Sequence, residues 1–295
     1  MPLWNFHFNI YFYSNTICLR NFYFFFILIL VNSNVASQSL RKPVAAPYIG
    51  LGAYSINHVD AFSFTANQAA LAQIKNASIG VYGEKRFLLN ATNMYSAVLA
   101  VPSSEGNFGL QIDYFGFKNY NESQIGLAYA RSLGDKLDVG IKFNYYSFRI
   151  PTYQTSSTVN FEIGAIFHLT EKLHAGIHFY NPVGGTLSKT ENEKLSSVYK
   201  LGFGYEASDN FLLSAEIIKE EDLPVNVAAG VQYNFQKQFF VRAGISSENA
   251  SPYAGAGISW DILRIDISAS YHPQLGFSPG LMVIVNFKSK EVEKN

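Results

Sequence analysis

Between Lys136 and Phe179 the chain alternates apolar and polar residues through three successive runs. Leu137, Val139, Ile141, Phe143 and Tyr145 share one parity, with Asp138, Gly140, Lys142 and Asn144 between them. Val159, Phe161, Ile163, Ala165, Phe167 and Leu169 repeat the scheme against Asn160, Glu162, Gly164 and His168. Leu173, Ala175, Ile177 and Phe179 begin it again against His174, Gly176 and His178. A repeat of two residues means a strand with one apolar and one polar side. Runs of about ten such residues suit a tilted strand crossing a bilayer.

The same parity marks Ala77 to Gly83, Phe108 to Tyr114, Ile125 to Tyr129, Leu201 to Tyr205, Leu213 to Ile217 and Val225 to Phe235. It returns in Phe239 to Ile245, Ala254 to Trp260, Leu263 to Tyr271 and Leu281 to Phe287, and Met94 to Val101 is apolar with blurred alternation. The predicted fold is all-β, an antiparallel transmembrane barrel of about fourteen strands. In hydrocarbon each unpaired backbone group costs several kcal/mol, so such a sheet has to close on itself. Tight polar turns are expected at Gly134-Asp135, Thr170-Glu171, Ser208-Asp209, Gln236-Lys237 and Asp261-Ile262. Longer connections are expected over 147–156, 181–197, 220–224, 246–252 and 272–279. Short periplasmic turns alternating with longer outer loops, and an even strand count with both ends in the periplasm, are what such a barrel requires.

One stretch has helical character. Asp60 to Ile74, DAFSFTANQAALAQI, offers Asp60 as an N-cap and an Ala-rich body. It reads either as a helix capping the barrel end or as a plug in its mouth.

Composition narrows the compartment. The chain has 295 residues, 48% hydrophobic, 16% aromatic and 15% charged, against a usual charged share of about a quarter. Its 22 basic residues balance 22 acidic ones, and no basic cluster points to nucleic acid. Arg20 precedes the apolar core Phe22 to Val31, and Val35 and Ser37 are small, which reads as a secretory signal ending at Ser37. The single cysteine, Cys18, falls inside that signal, so the mature chain would have no disulfide, thiolate metal site or cysteine nucleophile. The expected organisation is a signal over 1–37, a plug or periplasmic segment over 38–75, a barrel over 76–287 and a polar tail over 288–295.

The polar parity holds Asp113, Asp138, Lys142, Glu162, Lys200, Glu206, Glu216, Arg242 and Asp266. These would either line a channel or form a mixed-sign network that fills a narrow lumen or grips a plug. Mixed signs argue against ion selectivity. His168, His174 and His178 also point inward, but His174 and His178 lie about 13 Å apart at ~3.3 Å per residue, too far to share an ion. No metal, cofactor or catalytic residue is expected, and no G-x-S-x-G or phosphate-loop pattern stands in a suitable context. Inward glycine recurs at Gly80, Gly140, Gly164, Gly176, Gly202, Gly204, Gly230, Gly244, Gly255 and Gly257. Such a set implies bends or the close approach of another backbone.

The run DAFSFTANQAALA resembles the amino-terminal signature of FadL-like outer-membrane proteins and of the PorV/PorQ barrels of the type IX secretion system. Asn67, Ala69 and Leu71 match it, whereas Gln68 replaces its proline and Ala70 its glycine. The resemblance implies a fourteen-stranded outer-membrane barrel with an amino-terminal plug, serving either protein secretion through a secretion-system partner or uptake of a hydrophobic small molecule. The first role predicts protein contacts through the loops, and the second an apolar pocket lined by Phe62, Phe64, Asn67 and Leu71. Membrane lipid would surround the barrel in either case.

Overall fold

The computed structural model describes residues 51, 53–151, 154–184, 195–236 and 238–287. The expected signal, residues 38–50 and the polar tail lie outside this set.

The strands are β1 (Ser78–Lys85), β2 (Asn93–Val101), β3 (Asn107–Phe117), β4 (Tyr120–Ser132), β5 (Leu137–Ile150), β6 (Gln154–His168) and β7 (Leu173–Tyr180). They continue as β8 (Val198–Ser208), β9 (Phe211–Glu220), β10 (Asn226–Phe235), β11 (Phe239–Ser246), β12 (Ser251–Trp260), β13 (Leu263–His272) and β14 (Gly276–Asn286). Each pairs antiparallel with its sequence neighbours, and β1 also pairs with β14, Val81 opposite Val283, which closes the barrel at fourteen strands. Closure leaves no row of unpaired backbone groups, the condition set by the outward apolar parity.

Side chains obey that parity. In β5, Asp138, Lys142, Asn144 and Tyr146 are buried inside, while Phe143 and Tyr145 point outward and are more than half exposed. Ser78 and Asn286 place both barrel termini at one end, here the terminal end, and the 181–197 connection lies at the other, the loop end.

The expected alternation of short and long connections is corrected. β5 runs to Ile150 and β6 starts at Gln154, and β13 and β14 are joined by 273–275 alone, so two expected loops are mostly strand. Ser147 pairs with Ser157 and Tyr271 with Phe277, which extends the ladders through polar, turn-like sequence. Only 181–197 is long, and residues 185–194 of it lie outside the described set.

The Asp60 to Ile74 helix is corrected too. A single α-turn, α1 (Ser63–Ala66), is followed by a 3-10 stretch, Gln68–Gln73, and Asn67 between them is extended (φ −150°, ψ 119°). The break follows from what Asn67 does. Its Oδ1 accepts the Ala69 N–H at 3.0 Å and its Nδ2 donates to the Ile177 carbonyl at 3.1 Å, bonds that a continuous helix would not allow. Asp60 starts the segment as an Asx turn, accepting the Phe62 N–H at 2.9 Å.

The segment formed by residues 51 and 53–74 lies inside the barrel, on the inward glycines. Side chains at Gly140 and Gly164 would strike the backbone of Gln68 and the Asn67 amide, those at Gly202 and Gly204 Tyr54, and one at Gly80 the Phe62 ring. The barrel wall is stripped of side chains where this second backbone rests on it. A methyl group at Gly204 would overlap the Tyr54 carbonyl oxygen, part of a backbone that cannot swing aside. Gly204→Ala is therefore expected to destabilise the protein by about 1–3 kcal/mol, read as earlier unfolding in a denaturant titration. The same change at Gly134, with nothing within 4 Å but φ +71°, should cost only about 1 kcal/mol of backbone strain.

Candidate functional site

The barrel interior is divided lengthwise. Against β14, β1, β2 and β3 the plug turns its apolar side chains. Phe62 meets Gly80, Val98 and the Tyr82 ring (centroids 6.5 Å apart), and Phe64 and Leu71 lie over Gly109. These three belong to one buried apolar cluster that extends through Val98, Met94, Met282 and Phe115 to Phe148, Tyr180, Leu195 and Val198 at the loop end.

Against β5 to β9 the plug's contacts are mainly polar, beside two small apolar clusters, Ala53, Ala69 and Ala70 with Ile166 of β6 and Leu51 with Leu212 of β9. Gln68 donates to Glu162, whose carboxylate also takes Lys142 at 2.8 Å, His178 at 3.0 Å and Asn144 at 2.7 Å. Lys142 is set opposite Glu162 by the β5–β6 register, and its ammonium donates also to Gln111, at 2.9 Å. Gln111 and Ser96 in turn donate to Asp113 at 2.6 and 2.5 Å. Tyr54 donates to Glu216 at 2.8 Å, and Lys200 lies 4.0 Å from the same carboxylate. Burial first, and then the Glu216 charge, push the Tyr54 phenol well above its ordinary pKa, so it remains a donor.

The terminal end is fastened at three places. Glu206 accepts Ser55 Oγ and the Ile56 N–H, each at 2.6 Å, and its second oxygen the Asn57 amide, also at 2.6 Å. Arg264 pairs with Asp60 at 3.0 Å and Asp266 at 2.8 Å, while Arg242 reaches Asp266 at 3.3 Å. The Phe240 ring lies within 4.5 Å of both guanidinium carbons. Gln73 donates to Asp138 at 2.6 Å, and Asn107 Nδ2 donates to the Leu71 and Ile74 carbonyls at 2.7 and 2.8 Å.

A histidine pair joins two of these fastenings. Asp138 sits 2.8 Å from His168 Nε2, and His168 Nδ1 lies 2.9 Å from His174 Nδ1. A His168 that donates to the carboxylate keeps Nδ1 free to accept the His174 proton, so one tautomer satisfies both contacts. His178 stands apart on Glu162. Among the described residues no group of three ligating side chains could hold a metal ion.

The charged residues Asp113, Asp138, Lys142, Glu162, Lys200, Glu216, Arg242 and Asp266 are all buried inside the barrel, and each is matched by an opposite charge or a donor on the wall or plug. Phe62, Phe64 and Leu71 lie on the apolar side of the plug, but Asn67 is turned to β6 and β7. Sequence reasoning missed Tyr54, the Ser55 to Asn57 clamp and Asn107. The first four lie in an irregular Gly- and Pro-containing stretch, and Asn107 is one amide at a strand start.

No protein-family model matches the sequence, and no curated protein does. Solved structures do. The CymD monoaromatic hydrocarbon channel superposes with a TM-score of 0.61 at 13% identity, over 83% of this chain and 98% of the other. The fold is FadL-like. A FadL homologue of Pseudomonas aeruginosa gives 0.58 at 13% identity, over 83% and 98% of the two chains. The Pseudomonas putida toluene transporter TodX gives 0.61 at 10% identity, over 81% and 99%. At such identities the likeness is one of architecture: a fourteen-stranded outer-membrane-type barrel with short amino-terminal helical segments.

Proposed function

We propose that this protein is a bacterial outer-membrane channel for small apolar molecules, held shut by its amino-terminal plug. The observation that carries the reading is the buried apolar cluster running inside the barrel from Phe148, Tyr180 and Leu195 to Phe62, Phe64 and Leu71. A barrel that only crosses a membrane needs an apolar exterior, not an apolar interior. An interior of this kind suits a cargo that water would not carry. The likeness to hydrocarbon channels supports the same choice. A secretion-associated role rests on the DAFSFTANQAALA stretch alone. Asn67 and Leu71 of that stretch seat the plug, which either role would need.

Cargo would enter at the loop end, taken as the outer side, and move among the cluster side chains until it met Phe62 and Phe64. Its passage requires those rings to leave Gly80 and Gly109. The polar side, from Glu206 to Glu162, would hold the plug's other edge and keep the displacement local.

Uptake of toluene into proteoliposomes tests the reading, with glucose as the polar control. Toluene entry above protein-free vesicles, without glucose entry, is expected. Phe62→Ala takes away a buried ring worth about 3–5 kcal/mol of packing and should raise toluene entry severalfold while the barrel stays folded. Equal entry of glucose and toluene would overturn the proposal.

A further inference from the structure

On the outside of the barrel, at the loop end of β14, β1 and β2, lies a groove of about 410 Å³. Its floor is Gly83, which points outward, and its sides are Leu281 and Tyr95, the two residues registered opposite Gly83. Its upper rim is polar. Lys85 and Asn93 face each other across the β1–β2 pair, and Asn90 joins them from the connection above.

The ladder explains the opening. The β1–β14 pairing stops at Glu84 and Gly280, and the next residue of β14 toward the loop end, Pro279, has no N–H to extend it. Beyond this point β1 parts from β14 while Lys85 stays paired with β2, and the Phe87 N–H bonds to Ser278 Oγ at 3.0 Å instead. The strand ends part there, and Gly83 has no side chain to fill the space.

The rim chemistry specifies an occupant. The Glu84 carboxylate, the nearest acid in sequence, is turned away and held by Tyr82 at 2.6 Å and Arg86 at 2.9 Å. Among the described residues no ion pair or hydrogen bond engages the Lys85 ammonium or the Asn90 and Asn93 amides. One half-buried cation and two idle amides therefore stand above an apolar slot, at the loop end of the β1–β2 pair.

We infer that this groove binds one phospholipid whose headgroup carries a net negative charge. An acyl chain lies over Gly83 between Leu281 and Tyr95, and the phosphate sits on Lys85 with Asn90 and Asn93 donating to its oxygens. Arg86 is committed to Glu84 and the Met94 sulfur, so Lys85 provides the charge. The site depends on the barrel standing in a bilayer and not on what passes through it. Toluene uptake and lipid retention can therefore fail separately.

Native mass spectrometry of the full chain tests this, in neutral detergent with equal amounts of phosphatidylglycerol and phosphatidylcholine. A single retained phosphatidylglycerol is expected. Lys85→Glu should lower its retention about fivefold, the worth of one basic residue at an anionic headgroup. Gly83→Val should lower it about tenfold by filling the slot. A Cβ at Gly83 comes no closer than 3.5 Å to the Tyr95 ring and points out of the barrel, and unchanged heat-modifiable gel mobility would verify that the variant is folded. Lys118→Glu, in the β3–β4 turn, should leave retention unchanged. Equal retention of both lipids, or retention unaffected by either groove variant, would show ordinary surrounding lipid and overturn the inference.

Discussion

Deleting residues 38–74 is expected to convert a closed barrel into an open one, raising single-channel conductance in planar bilayers by about tenfold or more. The reason lies in what the deletion leaves behind. The wall beneath the plug carries Gly80, Gly109, Gly140, Gly164, Gly176, Gly202 and Gly204, none with a side chain to fill the vacated space. A barrel of eight strands can be filled by its own side chains, whereas sixteen or more leave an aqueous channel. Fourteen strands with a wall of glycine approach the second case. The shell should survive, because all fourteen strand pairings are between wall segments and none involves the plug. Glu206, Asp138 and Arg264 would lose plug partners but gain water, which limits the cost of leaving them unpaired. An unchanged conductance would mean that wall side chains close the lumen by themselves, and the plug would lose its role in gating.

The wall of this protein can be read from sequence, and the plug largely cannot, for a physical reason. A wall strand faces two media, so its residues must alternate, and the fourteen strands follow from parity. Parity put Lys142 and Glu162 on the inward face, and the β5–β6 register then set the two opposite each other. The inward glycines allowed either bends or the approach of another backbone, and the structure shows the second. What parity lacks is any mark of which backbone, or where it touches. The plug repeats neither every two residues nor every 3.6, because its conformation is set by single contacts: Tyr54 on Glu216, Asn67 on β6 and β7, Gln73 on Asp138. A helix over Asp60 to Ile74 was the natural expectation from propensity, and the wall overrode it at Asn67. The division of the interior into an apolar and a polar side is hidden for the same reason. It is a property of the closed cylinder, not of any one strand.

Glu162 is where that division carries its greatest load. Its carboxylate gathers Lys142, His178, Asn144 and the plug's Gln68, and the Lys142 and Glu162 side chains are only 2% and 3% exposed. Glu162→Ala removes the acceptor and strands the buried ammonium, which should cost about 3–5 kcal/mol, the range for breaking a buried ion pair from one side. Replacing both partners, as Lys142→Met with Glu162→Leu, should cost clearly less than the sum of the two single changes, because no charge is left unmatched. Urea unfolding in vesicles would measure all four proteins of this cycle. The alternative is that water reaches the pair once the acid is gone and solvates the cation. Glu162→Ala would then cost about 1 kcal/mol, as at exposed ion pairs, and the double change would show no coupling. A large single-site loss with strong coupling would mean that the polar side of the lumen is dry, and that whatever passes the plug has to do so on the side of Phe62 and Phe64.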